Sequence, residues 1–138
     1  MEIKVNIGDP KSGKTAKLVL ANEQAKPLLN KKIGDKIKGD EIGFPGYEFE
    51  ITGGSDYCGF PMRRDVVGVA RKKILMVGGV GLRHNVPGRK VRKNVAGNTV
   101  HPNTAQLNLK IVKHGEKPLV EEKAAEEKKE EKAEAKKK

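Results

Sequence analysis

The chain has 138 residues, enough for one domain and a tail, and carries a formal net charge of +11 with 36% hydrophobic and 34% charged residues. Its one cysteine, Cys58, excludes an internal disulfide and a cysteine-built zinc site. No apolar run has the length of a membrane span, and the start Met1-Glu2-Ile3-Lys4 lacks the apolar stretch of a secretory signal, so a soluble chain inside the cell with no membrane partner is expected.

From Glu2 to Ile7, apolar Ile3, Val5 and Ile7 alternate with polar residues, the period of a half-buried strand. Asp9-Pro10 and Ser12-Gly13 supply turn chemistry, and Thr15 to Leu20 reads as a second strand paired with the first. Asn22 reads as the N-cap of a short helix to about Leu29, weakened by Pro27. Gly34-Asp35 and Gly39-Asp40 are turns around Lys36-Ile37-Lys38. Tyr47 to Ile51 is a strand, Gly53 to Pro61 a glycine-rich loop, and Ile74 to Val77 and Gln106 to Val112 are further strands. In the last, Leu107, Leu109 and Ile111 share one side. Short strands between Gly and Pro predict a mainly β fold: a small closed or partly open barrel of about six mostly antiparallel strands with one short helix. Closure suits so small a sheet because it removes unpaired edges. The barrel is expected over residues 1–118, followed by a Glu/Lys/Ala-rich tail, 119–138, helical or disordered, which lacks the apolar stripe needed to pack.

The charge is unevenly placed. Residues 1–56 hold nine Lys and nine Asp or Glu, and residues 119–138 hold seven Lys and seven Glu, so both segments are neutral. Residues 57–118 hold seven Lys and six Arg against only Asp65 and Glu116, which accounts for the whole excess. Such concentration of one sign is the footprint of a polyanion partner. Arginine, with its planar and weakly hydrated fork, suits phosphate. A solubilising surface would mix both signs.

Gly8 to Thr15, GDPKSGKT, matches the phosphate-binding pattern G-x-x-x-x-G-K-[ST] letter for letter. That motif needs a buried parallel strand before it and a helix after it. Here the preceding strand alternates as a one-side-solvated antiparallel strand does, Pro10 removes an N–H, and Ala16 to Leu20 is too short for the helix. A hairpin turn is expected, with no nucleotide. Cys58 and the scattered His84, His101 and His114 form no catalytic or metal-ligand spacing, so no catalytic residue, metal or cofactor is expected.

The basic segment is punctuated by glycines. Gly53 to Pro61 leads into Arg63 and Arg64; Arg71, Lys72 and Lys73 precede an apolar strand; Gly78 to Leu82 ends in Arg83 and His84. Pro87-Gly88 opens the run Arg89, Lys90, Val91, Arg92, Lys93 and Asn94, with Asn98 beyond, and Lys110 and Lys113 lie on the last strand. Glycines expose backbone N–H groups and allow close approach, while Arg and Lys neutralise phosphates and Asn adds phosphate or 2′-OH contacts. All five aromatics fall between Phe44 and Phe60, outside the basic clusters, so recognition of RNA shape and backbone is expected over base stacking, with Phe60 a core anchor under its loop. An acidic protein partner is the alternative for the same charge.

Gly53-Gly54-Ser55-Asp56, Gly59-Phe60-Pro61-Met62, Gly88 to Lys93, Gly97-Asn98 and Leu107 to Lys113 resemble, in order, the six-e family of small-subunit ribosomal proteins of archaea and eukaryotes, over about residues 1–118. The resemblance implies a non-enzymatic component of the small subunit, cytoplasmic in the ribosome, on a barrel-like body, with ribosomal RNA and neighbouring small-subunit proteins as partners. Eukaryotic members carry a long basic extension ending in phosphorylated serines. This chain has no serine after Ser55, so it resembles the archaeal members. It departs from the family pattern at Tyr57 and Cys58, where Lys and a small residue are expected, and at Asn94 and Ala96, where Ser and Arg are.

Overall fold

Ile3, Val5 and Ile7 are fully buried while Lys4 between them is exposed, as their alternation predicts for strand β1, Ile3–Gly8. The computed structural model describes residues 2–84 and 86–115, so the tail expected at 119–138 lies outside the described residues. β1 turns back into β2, Thr15–Leu20, in antiparallel register from Ile3 opposite Leu20 to Gly8 opposite Thr15. A one-turn helix, α1, Asn22–Ala25, continues as a 3-10 turn, Lys26–Leu28, that starts around Pro27. Its N-cap is Ala21 rather than Asn22, with no side-chain cap bond. Then come β3, Lys36–Lys38, β4, Glu48–Asp56, β5, Lys72–Met76, β6, Val91–Val95, and β7, Thr104–Lys113.

Five strands form one sheet in the order β2-β1-β7-β4-β3, and β5 and β6 form a separate antiparallel ribbon. The barrel expectation is corrected here: the sheet stays open at β2 and β3. The three residues of β3 offer too few backbone groups to close a barrel. The sheet's apolar face is instead covered by Ala25, Leu28, Ile42, Met62, Ala96 and Val100 from turns and connections, which join Phe49, Ile51, Leu107 and Leu109 in one core. Nor is every pairing antiparallel. β1 runs parallel to β7, with Val5 opposite Leu107, because alternation reports which face is buried and says nothing of a neighbour's direction.

Two boundaries move. The expected loop at Gly53 is strand as far as Asp56, because β4 follows β7 through register shifts at Ile51/Gly53 and Ser55/Asp56. Gly54 lies so close to β7 that a Cβ there would stand 2.4 Å from the Gln106 carbonyl oxygen, which explains a glycine inside a strand. The basic run also becomes partly strand: Val91 to Val95 is β6, paired with Lys72 to Met76. Val91 and Val95 alone make too sparse a pattern to announce a strand.

The ribbon has its own small core of Val66, Met76 and Val95, with Ile74 and Leu82 packed against it. It is tied to the sheet by lacing between residues 61–68 and 96–99. The Ala96 N–H donates to the Pro61 carbonyl at 2.9 Å, the Arg63 N–H to the Ala96 carbonyl at 3.2 Å and the Asn98 N–H to the Val66 carbonyl at 2.8 Å. Gly97 sits where these segments cross, and a Cβ on it would lie 1.7 Å from the Gly68 carbonyl oxygen. No other residue fits that crossing.

Candidate nucleic-acid interface

Register sorts the side chains of the ribbon onto two faces, because directly opposed residues share a face. Val95, Met76 and Val91 mark the inner face, opposite or beside Lys72, Ile74 and Lys93. The outer face presents Lys73 opposite Asn94 and Arg92 opposite Leu75. Leu75 is 56% exposed and Val77 52%, so this face carries aliphatic groups among cations. Lys72 and Lys93, although on the inner face, are exposed too, consistent with long stems that lie along apolar surface while the ammonium stays in water. Arg89 and Lys90 are exposed in the turn leading into β6, where the Arg89 N–H donates to the Val86 carbonyl at 3.1 Å. Arg83 and His84 are exposed in the connection from β5. None of these side chains has an acidic partner among the described residues.

The remaining basic positions are placed differently. Arg63 is clasped to Asp65, at 3.1 Å from Nε and 2.5 Å from Nη2, and donates from Nη1 to the Val80 carbonyl at 3.3 Å. It ties the Gly78–Leu82 loop to the ribbon core, and its hydrogen bond holds the Asp65 carboxyl below its ordinary pKa. Arg64 is exposed and lies against Gly34. Arg71 pairs with Asp56, and its guanidinium lies 4.7 Å from the Tyr57 ring centroid and 5.3 Å from that of Phe60. Hydrogen bonding to Asp56, then to Tyr57, raises its pKa still further. Phe60, expected as a core anchor, is half-buried beneath that guanidinium.

Asn98 turns inward. It is 8% exposed, donates from Nδ2 to the Arg64 carbonyl at 3.3 Å, and accepts at Oδ1 from the Gly68 N–H at 3.3 Å and the Thr99 hydroxyl at 3.0 Å. Its amide is committed to the lacing beneath the ribbon instead of a surface contact. Lys110 and Lys113 are on the five-stranded sheet, away from the ribbon in register, and each stands opposite a glutamate of β4. Lys113 Nζ bonds Glu48 at 2.6 Å, and this bond, followed by desolvation that opposes it, leaves the Glu48 pKa lowered.

The motif at Gly8 to Thr15 is a hairpin. The Asp9 N–H donates to the Lys14 carbonyl and the Gly13 N–H to the Asp9 carbonyl, both at 2.9 Å, and the chain continues as a strand. The Asp9 carboxylate accepts from the Lys11 N–H at 2.9 Å and the Ser12 hydroxyl at 2.7 Å, so an acid occupies the middle of the turn where a phosphate would have to sit. Among the described residues no group of three or more His, Cys, Asp or Glu gathers as metal ligands would.

The family model for ribosomal protein S6e matches residues 3–123. Among relatives, the small ribosomal subunit protein eS6 of Archaeoglobus fulgidus is 44% identical over 122 residues, 88% of this chain and 95% of that protein. Its counterpart in Nanoarchaeum equitans is 45% identical over 119 residues, 86% of this chain and 87% of that one. That of Methanoculleus marisnigri is 38% identical over 120 residues, 87% and 91% respectively. This chain belongs to the ribosomal protein S6e family.

Proposed function

We propose that this chain is a structural constituent of the small ribosomal subunit and grips ribosomal RNA chiefly through the β5–β6 ribbon and its flanking turns. The ribosomal role, cytoplasmic and non-catalytic, follows from membership of a family whose archaeal relatives are named small ribosomal subunit proteins. The observation that carries the RNA contact is the ribbon's one-signed charge: Lys72, Lys73, Arg83, Arg89, Lys90, Arg92 and Lys93 are exposed with no acid among them. Cations left without internal partners are available to displace counterions from a phosphate backbone. The aliphatic patch of Leu75 and Val77 between them favours a surface that is partly sugar, as in the wide, shallow minor groove of A-form RNA. Arg64 extends the positive surface, and exposed His84 lies beside Arg83. Arg63, Arg71 and Asn98 support it from beneath, and Lys110 and Lys113 lie on a separate, mixed-charge surface opposite Glu50 and Glu48.

Binding to ribosomal RNA fragments is measured across a salt series. Neutralising about six phosphates gives a fall in affinity of roughly a thousandfold between 50 and 200 mM salt. A slope near zero rejects the ribbon as an RNA surface. In lysate the chain is expected to travel with the small subunit and leave it only at high salt.

A further inference from the structure

At the root of the ribbon is a cleft of about 260 Å³ that the cationic surface does not use. Tyr57, Val69, Arg71, Thr99, His101 and Asn103 line it, with Met62 and Ala96 from the core below. Tyr57 is 64% exposed, an unusual position for a large ring beside a concave, partly apolar surface. The cleft is smaller than a drug-sized pocket and suits one planar ring system.

Its walls are already held in place. Asp56 accepts from the Tyr57 N–H at 2.6 Å and also binds Arg71, so the one carboxylate in the cleft has both oxygens engaged. The Tyr57 N–H is shared with the Asn103 carbonyl at 3.0 Å. Arg71 is fixed against the Tyr57 and Phe60 rings. His101 Nδ1 accepts from the Asn103 N–H at 3.3 Å, which leaves Nε2 as its N–H donor in the neutral ring. Asn103 adds an exposed amide able to donate and accept. A flat ring is offered an aromatic surface, a guanidinium and an edge of donors and acceptors. These are the means by which proteins hold a base that has left its stack.

Position selects the ligand. Arg71 immediately precedes β5, and Ala96 and Gly97 immediately follow β6, so RNA lying along the ribbon passes the mouth of the cleft. A paired base cannot enter, because both its faces are covered by the stack. We propose that this cleft receives a single unpaired, extruded nucleobase of the RNA bound by the ribbon, seated against Tyr57 and read at its edge by His101 and Asn103; this rests on the RNA-binding reading above.

The test uses the full chain and two RNA hairpins identical except for a single bulged nucleotide, 2-aminopurine. The bulged RNA is expected to bind about tenfold more tightly, in line with the stacking of one base on an aromatic ring. Its fluorescence is expected to be quenched on binding. Tyr57→Ala and, separately, Asn103→Ala should remove the preference and the quenching while leaving affinity for the fully paired RNA and its salt slope unchanged. Thermal unfolding of each variant shows that the fold is kept. Equal affinity for the two RNAs, or a preference that survives both substitutions, overturns the base site and leaves the ribbon reading standing. Failure to bind either RNA overturns the ribbon reading and the base site with it.

Discussion

Across β3, β4 and β7 of the five-stranded sheet, cations stand in rows with acids: Lys36, Glu50 and Lys110 are opposed, and so are Lys38, Glu48 and Lys113. In the ribbon, Lys72, Lys73, Arg92 and Lys93 have no acid opposite them in either strand. Both pairings are antiparallel, and both leave the lysines and arginines exposed. The difference lies in what each lysine or arginine is next to. A cation beside a glutamate gives up part of its attraction for an outside anion; one beside leucine or asparagine keeps it. Lysines occur in both regions, but those of β3 and β7 face glutamates, whereas the ribbon's cations face none.

The sharpest way to break this comparison is to strip the ribbon. Replacing Arg89, Lys90, Arg92 and Lys93 by Ala should lower the slope of log affinity against log salt by about four, near one for each of the four cations removed. The thermal transition should stay in place because all four are exposed. An unchanged slope in filter binding would remove this run from the interface.

A second substitution attacks the support beneath. Asn98→Ala leaves the Gly68 N–H and the Arg64 carbonyl without their side-chain partner and should cost about 1–3 kcal/mol in urea unfolding. Asn94→Ala on the outer face should cost less than about 0.5 kcal/mol. Equal costs for the two would mean that Asn98 does not hold the ribbon to the sheet.

The mirror experiment is on the sheet. Replacing Lys36, Lys38 and Lys110 by Ala should change the salt slope by less than about one, since each leaves a glutamate behind that had shared its charge. A loss as large as that from the ribbon would extend the interface over both surfaces.

The smallest effect is in acid. The Asp65 carboxyl, held by Arg63, titrates below its ordinary value of 3.8 in the folded chain. Its contribution is therefore complete above the unfolded value and is lost as pH falls through the lower folded one. Amide exchange at Leu82, whose N–H donates to the Gly79 carbonyl within the loop that Arg63 ties down, should be flat from pH 7 to about 5 after correction for intrinsic rates, and faster only below about pH 4. Acceleration already near pH 6 would point to a different group.

Much of the five-stranded sheet is legible in the residues. Ile3, Val5 and Ile7, and Leu107, Leu109 and Ile111, alternate because one face of each strand is buried, and periodicity reports just that. The hairpin at Gly8 to Thr15 is legible for the same reason, since Asp9 and Gly13 carry their turn chemistry locally. β6 is hidden because its exposed, basic middle residues outnumber its two valines, and strand identity there comes from pairing with β5. Tyr57 reads along the chain as a loop residue that departs from the family pattern; its place against Arg71, beside Arg71's anchor Asp56, comes from the fold.

The sequence by itself determined that strands dominate, that the positive charge is confined to residues 57–118, and which family the chain resembles, all properties of neighbours along the chain. Only the tertiary structure decided which cations are free. Asp56 reaches Arg71, Arg64 reaches Asn98, and Arg63 reaches Val80 across separations that local pattern does not encode. It also decided that the sheet stays open, because the choice between closing an edge and covering a face depends on how much apolar surface the distant turns at Leu28, Met62 and Val100 can bring to it.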